Sequence, residues 1–276
     1  MTDHSRSAEN PQPIDFGRLS LQQGFRLVVV GSNGGIGSAL CQNALALGAD
    51  VVGLDTAAAI AERPLPGKVW SLPVDVLDPT SIATAFTKIT ERFSQIDGLV
   101  YVSGIGERPM AALAHSAEQW DRTQDVNLRG AFLAAKAAAP ILQPFAGSIV
   151  FISSGLAVNV EPGFAAYSAS KAGLIAFAKV LAKELAPAVR VNVVAPGLVL
   201  TPFLAGGTGS GAAEASASVT DWFGSPERGQ AMRDAIPLKR IAVPDDIVAP
   251  IFFLLGSGAR FVTGQTLHIN GGRYLP

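Results

Sequence analysis

The sequence lacks the residues that would build a disulfide framework or a metal site. Its 276 residues include one cysteine, Cys41, within the apolar stretch Ala39-Leu40-Cys41, and only three histidines. A disulfide within the chain is therefore excluded, and no run of cysteines and histidines has the spacing of zinc ligands. We interpret Cys41 as a buried core thiol and predict no metal.

Strong net charge and long apolar runs are also missing. The chain has 21 basic and 22 acidic side chains, which gives no electrostatic reason to expect nucleic acid or an anionic membrane as a partner. No window approaches 18 uninterrupted apolar residues, so a membrane span is not supported. The polar start, 1–22, lacks the apolar centre of a signal peptide and is predicted to be a flexible arm. We expect a cytoplasmic protein that acts on a small molecule.

Short β-branched runs alternate with longer helical patterns from residue 25 onward. This alternation is typical of strand–helix–strand units that build a parallel sheet. It predicts one domain over 23–276 with a Rossmann-like α/β fold, a doubly wound, parallel, seven-stranded sheet with helices on both faces. The predicted strands are 25–30, 50–54, 68–74, 98–103, 147–153, 189–194 and 265–269, and the predicted helices are about 35–47, 79–93, 117–142, 164–185 and 244–255. Ligands of such sheets bind at the carboxyl ends of the strands.

One segment, at about 203–236, breaks this alternation. It contains Gly206, Gly207, Gly209 and Gly211 among alanine and serine residues. A connection of this length in a compact domain is usually functional or disordered. We interpret it as a mobile substrate lid, with a surface insertion as the alternative.

A glycine-rich turn follows the first predicted strand. Phe25–Val30 runs directly into Gly31-Ser32-Asn33-Gly34-Gly35-Ile36-Gly37, where a helical pattern begins. Glycines permit positive φ and let a pyrophosphate approach the backbone, and the free N–H groups of a helix N-terminus carry partial positive charge. The pattern predicts a cradle for the phosphates of a dinucleotide.

An acidic residue ends the second predicted strand. Asp55 lies 24 residues after Gly31, close to the spacing of an acid that binds a ribose 2′-hydroxyl. A 2′-phosphate about 4 Å from this carboxylate would be repelled by roughly 4 kcal/mol at an effective dielectric of about 20. We therefore predict NAD rather than NADP as the cofactor. The alternatives are that Asp55 is a plain turn residue, or that Arg63 reaches back to a 2′-phosphate.

Tyr167 and Lys171 lie four residues apart in a predicted helix. This separation places both side chains on one face, where the ammonium can stabilise a phenolate and lower the pKa of the tyrosine. A tyrosine tuned in this way can act as a general acid or base. Ser154 stands thirteen residues before Tyr167, just after a predicted strand. The three residues together indicate redox chemistry at a C–O bond.

With the glycine turn and the Tyr167-xxx-Lys171 pair in this order, the chain resembles the short-chain dehydrogenase/reductase family. The resemblance runs from about residue 25 to Gly272. Further segments that carry it are Asp75-Val76, Asp125-Val126-Asn127-Leu128, Ser154, Pro196-Gly197 with Thr201, and Thr263-Gly264-Gln265 to Asn270-Gly271-Gly272. It implies an oxidoreductase with a nicotinamide cofactor, assembled as a homotetramer or dimer.

The resemblance also implies a role for each site residue. Ser154 would hold the substrate oxygen, Tyr167 would exchange its proton, and Lys171 would bind the nicotinamide ribose and lower the pKa of Tyr167. Asn127 would hold a water that links Lys171 to solvent. Ser153 competes with Ser154, but alternation along the strand turns Ser153 the other way. The implied cofactor-binding residues are Gly31, Ser32, Asn33, Gly35, Ile36, Gly37, Asp55, Asp75, Val76, Ser103, Gly104, Tyr167, Lys171, Pro196, Gly197, Val199 and Thr201.

The chain departs from the family pattern in two places. Val30 stands where the family usually has threonine, and Tyr101-Val102-Ser103-Gly104 stands where it commonly has Asn-Asn-Ala-Gly. Thr201 also has an alternative role as a helix N-cap. We expect the departures to cost some stability or cofactor affinity without loss of function.

The side chains expected to face the substrate are mostly apolar: Ile105, Gly106, Leu156, Ala157, Val158, Phe164 and Leu198. We therefore expect NAD-dependent interconversion of a secondary alcohol and a ketone on a mainly apolar small molecule. The alternatives are an NADPH-linked ketone or 3-oxoacyl thioester reductase, a non-catalytic nicotinamide-binding regulator, and a sugar-nucleotide epimerase or dehydratase. The apolar helices at 117–142 and 164–185 predict packing against a second subunit.

Overall fold

The predicted sheet is present. A computed structural model describes residues 19–106, 109–142, 147–206 and 225–275, and its strands form one parallel sheet in the order β3-β2-β1-β4-β5-β6-β7. The strands are β1 (Arg26–Val30), β2 (Asp50–Asp55), β3 (Trp70–Pro73), β4 (Gly98–Tyr101), β5 (Ser148–Ile152), β6 (Arg190–Pro196) and β7 (Thr266–Ile269). The Rossmann-like α/β fold is thereby confirmed.

The helices match the sequence prediction in part. They are α1 (Gly35–Ala46), α2 (Ala57–Glu62), α3 (Pro79–Arg92), α4 (Ala117–Gln124), α5 (Gly130–Leu142), α6 (Ala165–Leu185), α7 (Phe203–Gly206), α8 (Pro226–Asp234) and α9 (Pro244–Leu255). The helix predicted over 117–142 is divided by a π-helical segment, Asp125–Arg129. Three helices escaped prediction, α2, α7 and α8, because each is shorter than the window of about 11 residues over which apolar periodicity can be recognised.

Two apolar cores lie on opposite faces of the sheet. Helices α3, α5 and α6 cover one face, where Phe86, Leu142 and Leu174 are buried. Helices α1 and α9 cover the other, where Leu40 and Ile251 are buried together with the free thiol of Cys41. Because both faces are covered, the central strands β1, β4 and β5 carry runs of consecutive apolar residues rather than an alternating pattern.

The order of the strands in the sheet determines where the site lies. The chain runs outward from β1 to β3 and then returns to place β4 on the other side of β1. The connections after β1 and β4 therefore diverge at their carboxyl ends and leave a crevice there. Gly31 follows β1 at this crevice, and Ser103 follows β4, so that the Ser103 N–H donates to the carbonyl of Val30 at 2.9 Å.

Two predicted segments lie partly outside the described residues. Of the predicted arm, 1–18 lies outside them, whereas Leu21 is buried in the core and Leu19 accepts a hydrogen bond from Gly258 N. Of the predicted lid, 207–224 lies outside them, and the rest includes α7 and α8. Among the described helices, none combines the length and apolar character that crossing a bilayer requires.

Candidate active site

Ser154, Tyr167 and Lys171 come together at the carboxyl end of β5. Ser154 follows the strand and caps the short turn Gly155–Ala157, its Oγ accepting from Leu156 N at 3.2 Å. Tyr167 and Lys171 lie one turn apart on α6, with Lys171 Nζ 5.7 Å from the centroid of the tyrosine ring. The Lys171 ammonium donates to the carbonyl of Ile152 at 2.9 Å, which fixes it beside the end of the same strand.

The two adjacent serines point in different directions. Ser153 is buried and donates its hydroxyl to the main-chain carbonyl of Lys171 at 2.8 Å. Ser154 is half-buried, and hydrogen bonding from its hydroxyl to the phenolate lowers the pKa of Tyr167. Ser154, and not Ser153, therefore stands beside the phenol.

Burial sets the protonation of the pair on α6. It raises the pKa of Tyr167 to about 12, and the Ser154 hydrogen bond offsets only part of this rise. It lowers the pKa of Lys171 to about 8. We expected Lys171 to lower the pKa of Tyr167, but the net shift has the opposite sign. Withdrawal of the phenolate from water outweighs the hydrogen bond that stabilises it.

Asn127 lies in the π-helical segment and is fully buried. Its Oδ1 accepts from Ile105 N at 2.8 Å, and its Nδ2 donates to Ile105 O at 2.9 Å and to Ser170 Oγ at 3.0 Å. A Cβ on Gly104 would lie 3.2 Å from both Asn127 Oδ1 and Lys171 Nζ. The two side chains therefore flank Gly104, and the structure brings the four predicted catalytic residues into one cluster.

Three of the four glycines in the turn after β1 are packed too closely to carry a side chain. Gly31 has a φ of +89°, and a Cβ there would lie 2.5 Å from Ser103 N. A Cβ on Gly35 would lie 2.6 Å from Thr201 Cγ2, and one on Gly37 would collide with the Gly31 carbonyl. Helix α1 starts in this turn without a side-chain cap and without an acidic residue in its first turn. Its first N–H groups are thus suited to hold the phosphates of a dinucleotide.

Asp55 joins the end of β2 to this turn. Its Oδ2 accepts from Asn33 N and its Oδ1 from Thr56 N, both at 2.8 Å. Asn33 in turn donates its side-chain amide to the carbonyl of Arg63 at 2.7 Å and accepts from Ser32 Oγ at 2.7 Å. The carboxylate therefore lies beside the glycine turn, where an adenosine ribose would follow the phosphates.

The remaining predicted cofactor residues lie at the same edge of the sheet. Asp75 is exposed and accepts from Leu77 N at 2.9 Å, and Val76 packs against the core. Gly197 N donates to Ile269 O at 2.9 Å, and Val199 pairs with Ala242. Thr201 is buried against Gly35. Asp75 and Val76, which follow β3, therefore lie on the same side of the crevice as Asp55, whereas Gly197, Val199 and Thr201, which follow β6, lie on the opposite side.

Three aromatic residues near the site make contacts that the sequence did not predict; Phe203 and Tyr274 are functional candidates, and Tyr101 has a structural role. Phe203 opens α7, and its ring lies 6.0 Å from that of Tyr167. Tyr101, one of the departures from the family pattern, donates its buried hydroxyl to Val126 O at 2.6 Å and so ties β4 to the π-helical segment. Tyr274 follows β7, and its hydroxyl occupies the space where Gly155 would carry a Cβ. No local sequence signal marks these contacts, because each joins distant parts of the chain.

A family model described as enoyl-(acyl carrier protein) reductase matches residues 30–273. The chain belongs to the short-chain dehydrogenase/reductase family. A relative within this family, a 3-oxoacyl-[acyl-carrier-protein] reductase from Thermotoga maritima, is 33% identical over 259 residues, which cover 91% of this chain and 98% of the relative. As a short-chain dehydrogenase/reductase, the protein is an oxidoreductase of the nicotinamide-dependent type.

Solved structures of short-chain dehydrogenases/reductases share the fold closely. A 3-ketoacyl-(acyl-carrier-protein) reductase from Brucella melitensis, solved with NADH, has a TM-score of 0.78 and 27% identity over 92% of this chain and 99% of that one. An aldohexose dehydrogenase from Thermoplasma acidophilum has a TM-score of 0.79 and 27% identity over 92% of this chain and 96% of that one. The fold is thus shared by members named as reductases and as dehydrogenases.

Proposed function

We propose that this protein reduces the ketone of a mainly apolar 3-oxoacyl compound, with NADH as the preferred cofactor. The observation that carries the proposal is the cluster of Ser154, Tyr167 and Lys171 at the end of β5, across the crevice from the glycine turn. The nicotinamide, when bound, supplies the hydride. The protein supplies position and a proton.

In this mechanism Ser154 donates a hydrogen bond to the ketone oxygen and orients it. Tyr167 donates its proton to the same oxygen as negative charge develops there. Lys171 holds the nicotinamide ribose and supplies positive charge below the phenol. Asn127 fixes the Ile105 backbone next to Lys171. A water bound to Asn127 would link Lys171 to solvent, so that a proton can return to the site after each turnover.

Tyr167 is in the protonated form that ketone reduction needs. A phenol with a pKa of about 12 carries its proton at neutral pH and is ready to act as an acid. Alcohol oxidation, the reverse direction of the predicted interconversion, would start from the phenolate. The relatives named as 3-oxoacyl and 3-ketoacyl reductases support the same direction.

The preference for NADH rests on Asp55. Its carboxylate is fixed by two backbone N–H groups beside the glycine turn. A ribose 2′-hydroxyl can donate to this carboxylate, whereas a 2′-phosphate would be repelled by it. The remaining predicted cofactor residues, from Gly31 to Thr201, are proposed to line the rest of the dinucleotide.

Steady-state kinetics test the proposal. The purified protein would be given NADH or NADPH with ethyl 3-oxobutanoate, with the N-acetylcysteamine thioester of 3-oxobutanoate, or with secondary alcohols and NAD as the reverse series. We expect kcat/KM to be highest for a 3-oxo compound with NADH. Faster turnover of a simple alcohol with NAD would overturn the proposed substrate, and faster turnover with NADPH would overturn the proposed cofactor.

A further inference from the structure

The end of the described chain turns back toward the catalytic cluster. Gly271 and Gly272 follow β7 with φ values of +64° and +85°, a conformation that other residues rarely adopt. Asn270 fixes this turn, since its Oδ1 accepts from Gly272 N at 2.8 Å and its Nδ2 donates to the main-chain carbonyl of Tyr274 at 2.9 Å. The turn therefore delivers the Tyr274 ring to a defined place.

The hydroxyl of Tyr274 lies next to the residue that follows Ser154. The Tyr274 hydroxyl lies where a Cβ on Gly155 would project, and Gly155 is the residue after Ser154. Only glycine at position 155 leaves room for the phenol. The ring also packs edge-on against His268, with 6.1 Å between ring centroids, which holds it from the side of β7.

The hydroxyl of Tyr274 is buried and has no hydrogen-bond partner among the residues that the structure describes. Both ends of the nearby Asn270 amide are engaged elsewhere. The hydroxyl lies near enough to Tyr167 that charge on one phenol affects the other. A buried, unpaired hydroxyl is costly unless a ligand pairs with it.

We propose that Tyr274 binds a second oxygen of the substrate, the one two carbons away from the reacting ketone. A carbonyl oxygen accepts two hydrogen bonds, and those of the reacting ketone are taken by Ser154 and Tyr167. The third hydroxyl must therefore serve a different acceptor. This inference rests on the proposed function and assigns to Tyr274 the recognition of the second carbonyl of the 3-oxoacyl substrate.

The test compares two substrates of equal chain length. Ethyl 3-oxobutanoate has the second carbonyl, and 2-heptanone lacks it. In the Tyr274→Phe variant we expect kcat/KM for the ester to fall about tenfold and that for 2-heptanone to change by less than about twofold. Equal losses for both substrates would mean a structural role, and no loss for either would mean no contact; both results overturn the inference.

Binding gives a readout that does not depend on turnover. Calorimetric titration of the NADH complex should show that the wild-type protein binds the ester more tightly than 2-heptanone and that Tyr274→Phe removes the difference. If neither ketone is turned over but this pattern holds, the proposed function fails and the inference stands. A wild-type protein with no preference in binding or turnover overturns the inference.

Two further variants test whether the effect is specific to the position of the Tyr274 hydroxyl. Gly155→Ala places a methyl group where the Tyr274 hydroxyl lies, so it should lose the preference for the ester in the same way. Tyr101→Phe also removes a buried tyrosine hydroxyl, but one that is bonded to Val126, and should leave the ratio of the two substrates unchanged. A loss of preference in Tyr101→Phe would contradict a specific role for Tyr274.

Discussion

The Lys171 ammonium lies 5.7 Å from the centroid of the Tyr167 ring, and both groups are shifted toward their uncharged forms. Burial is the first cause of each shift. The pair is therefore a protonated phenol held next to an ammonium group whose pKa is lowered by burial. A bound substrate oxygen meets an acid in its protonated state.

Lys171 should give the folded protein a distinctive pH dependence. Its pKa falls from 10.5 to about 8 on folding. Between these two pH values the unfolded chain therefore binds more protons than the folded protein does. The cost of burying the charge is fully present below pH 8 and is relieved as the pH rises to about 10.5, by about 3 kcal/mol. Urea unfolding across this range should show wild type gaining stability relative to Lys171→Met. If the free energies of unfolding of wild type and Lys171→Met changed equally with pH, Lys171 would not be a buried, charged lysine.

Replacement of Tyr167 by phenylalanine should remove the proton donor and keep the fold. We expect turnover of the best ketone to fall by at least about a thousandfold, since general acid catalysis contributes up to about four orders of magnitude. The free energy of unfolding, measured with urea, should stay within about 1 kcal/mol of the wild-type value, because the ring and its contact with Phe203 remain. Tyr101→Phe is the matched control. Full turnover in Tyr167→Phe would exclude the mechanism.

Asp55→Asn should change the choice of cofactor. The amide keeps the shape and an oxygen acceptor but removes the charge that repels a 2′-phosphate. We expect the ratio of kcat/KM for NADPH over NADH to rise about a hundredfold, or about 2.7 kcal/mol, which is less than the roughly 4 kcal/mol of Coulomb repulsion because solvent screens the two charges. Asp50→Asn, at the other end of β2, is the control. An unchanged ratio would mean that Asp55 only stabilises the turn and does not select the cofactor.

Gly35→Ala should weaken the dinucleotide cradle. The new Cβ would lie 2.6 Å from Thr201 Cγ2, so either the glycine turn or Thr201 must move. We expect the dissociation constant for NADH to rise at least about tenfold. Gly67→Ala has open space within 4 Å and should leave NADH affinity unchanged. Equal affinities of both variants would argue that the cofactor lies elsewhere.

We propose that an apolar surface on the π-helical segment, α5 and α6 packs against a second copy of the chain. It is lined by Leu128, Phe132, Gly173 and Phe177, and Phe132 is 44% exposed. Sedimentation should give the wild type a multiple of the 28.5 kDa chain mass, and Phe132→Glu a smaller one. Leu47→Glu, also 44% exposed before substitution, should keep the wild-type mass. A wild-type monomer would contradict this proposal.

Local patterns were sufficient to predict the fold and much of the candidate site. The strand, glycine turn and helix from β1 to α1 follow from short-range sterics, and the spacing of Tyr167 and Lys171 follows from the helical repeat. Such features depend on neighbours within a few residues, which the sequence displays directly. For the same reason the break in the helix over 117–142 was missed, since it depends on Asn127 bonding to Ile105 and Ser170.

The sequence by itself determined the sheet, the glycine turn and the family's pattern of a serine, a tyrosine and a lysine. Tertiary structure alone decided the sign of the Tyr167 pKa shift, because burial depends on residues from many elements. It also decided that Tyr274 meets Gly155. That contact joins the end of the last strand to the turn after β5, and it exists only because the parallel sheet brings both to one edge.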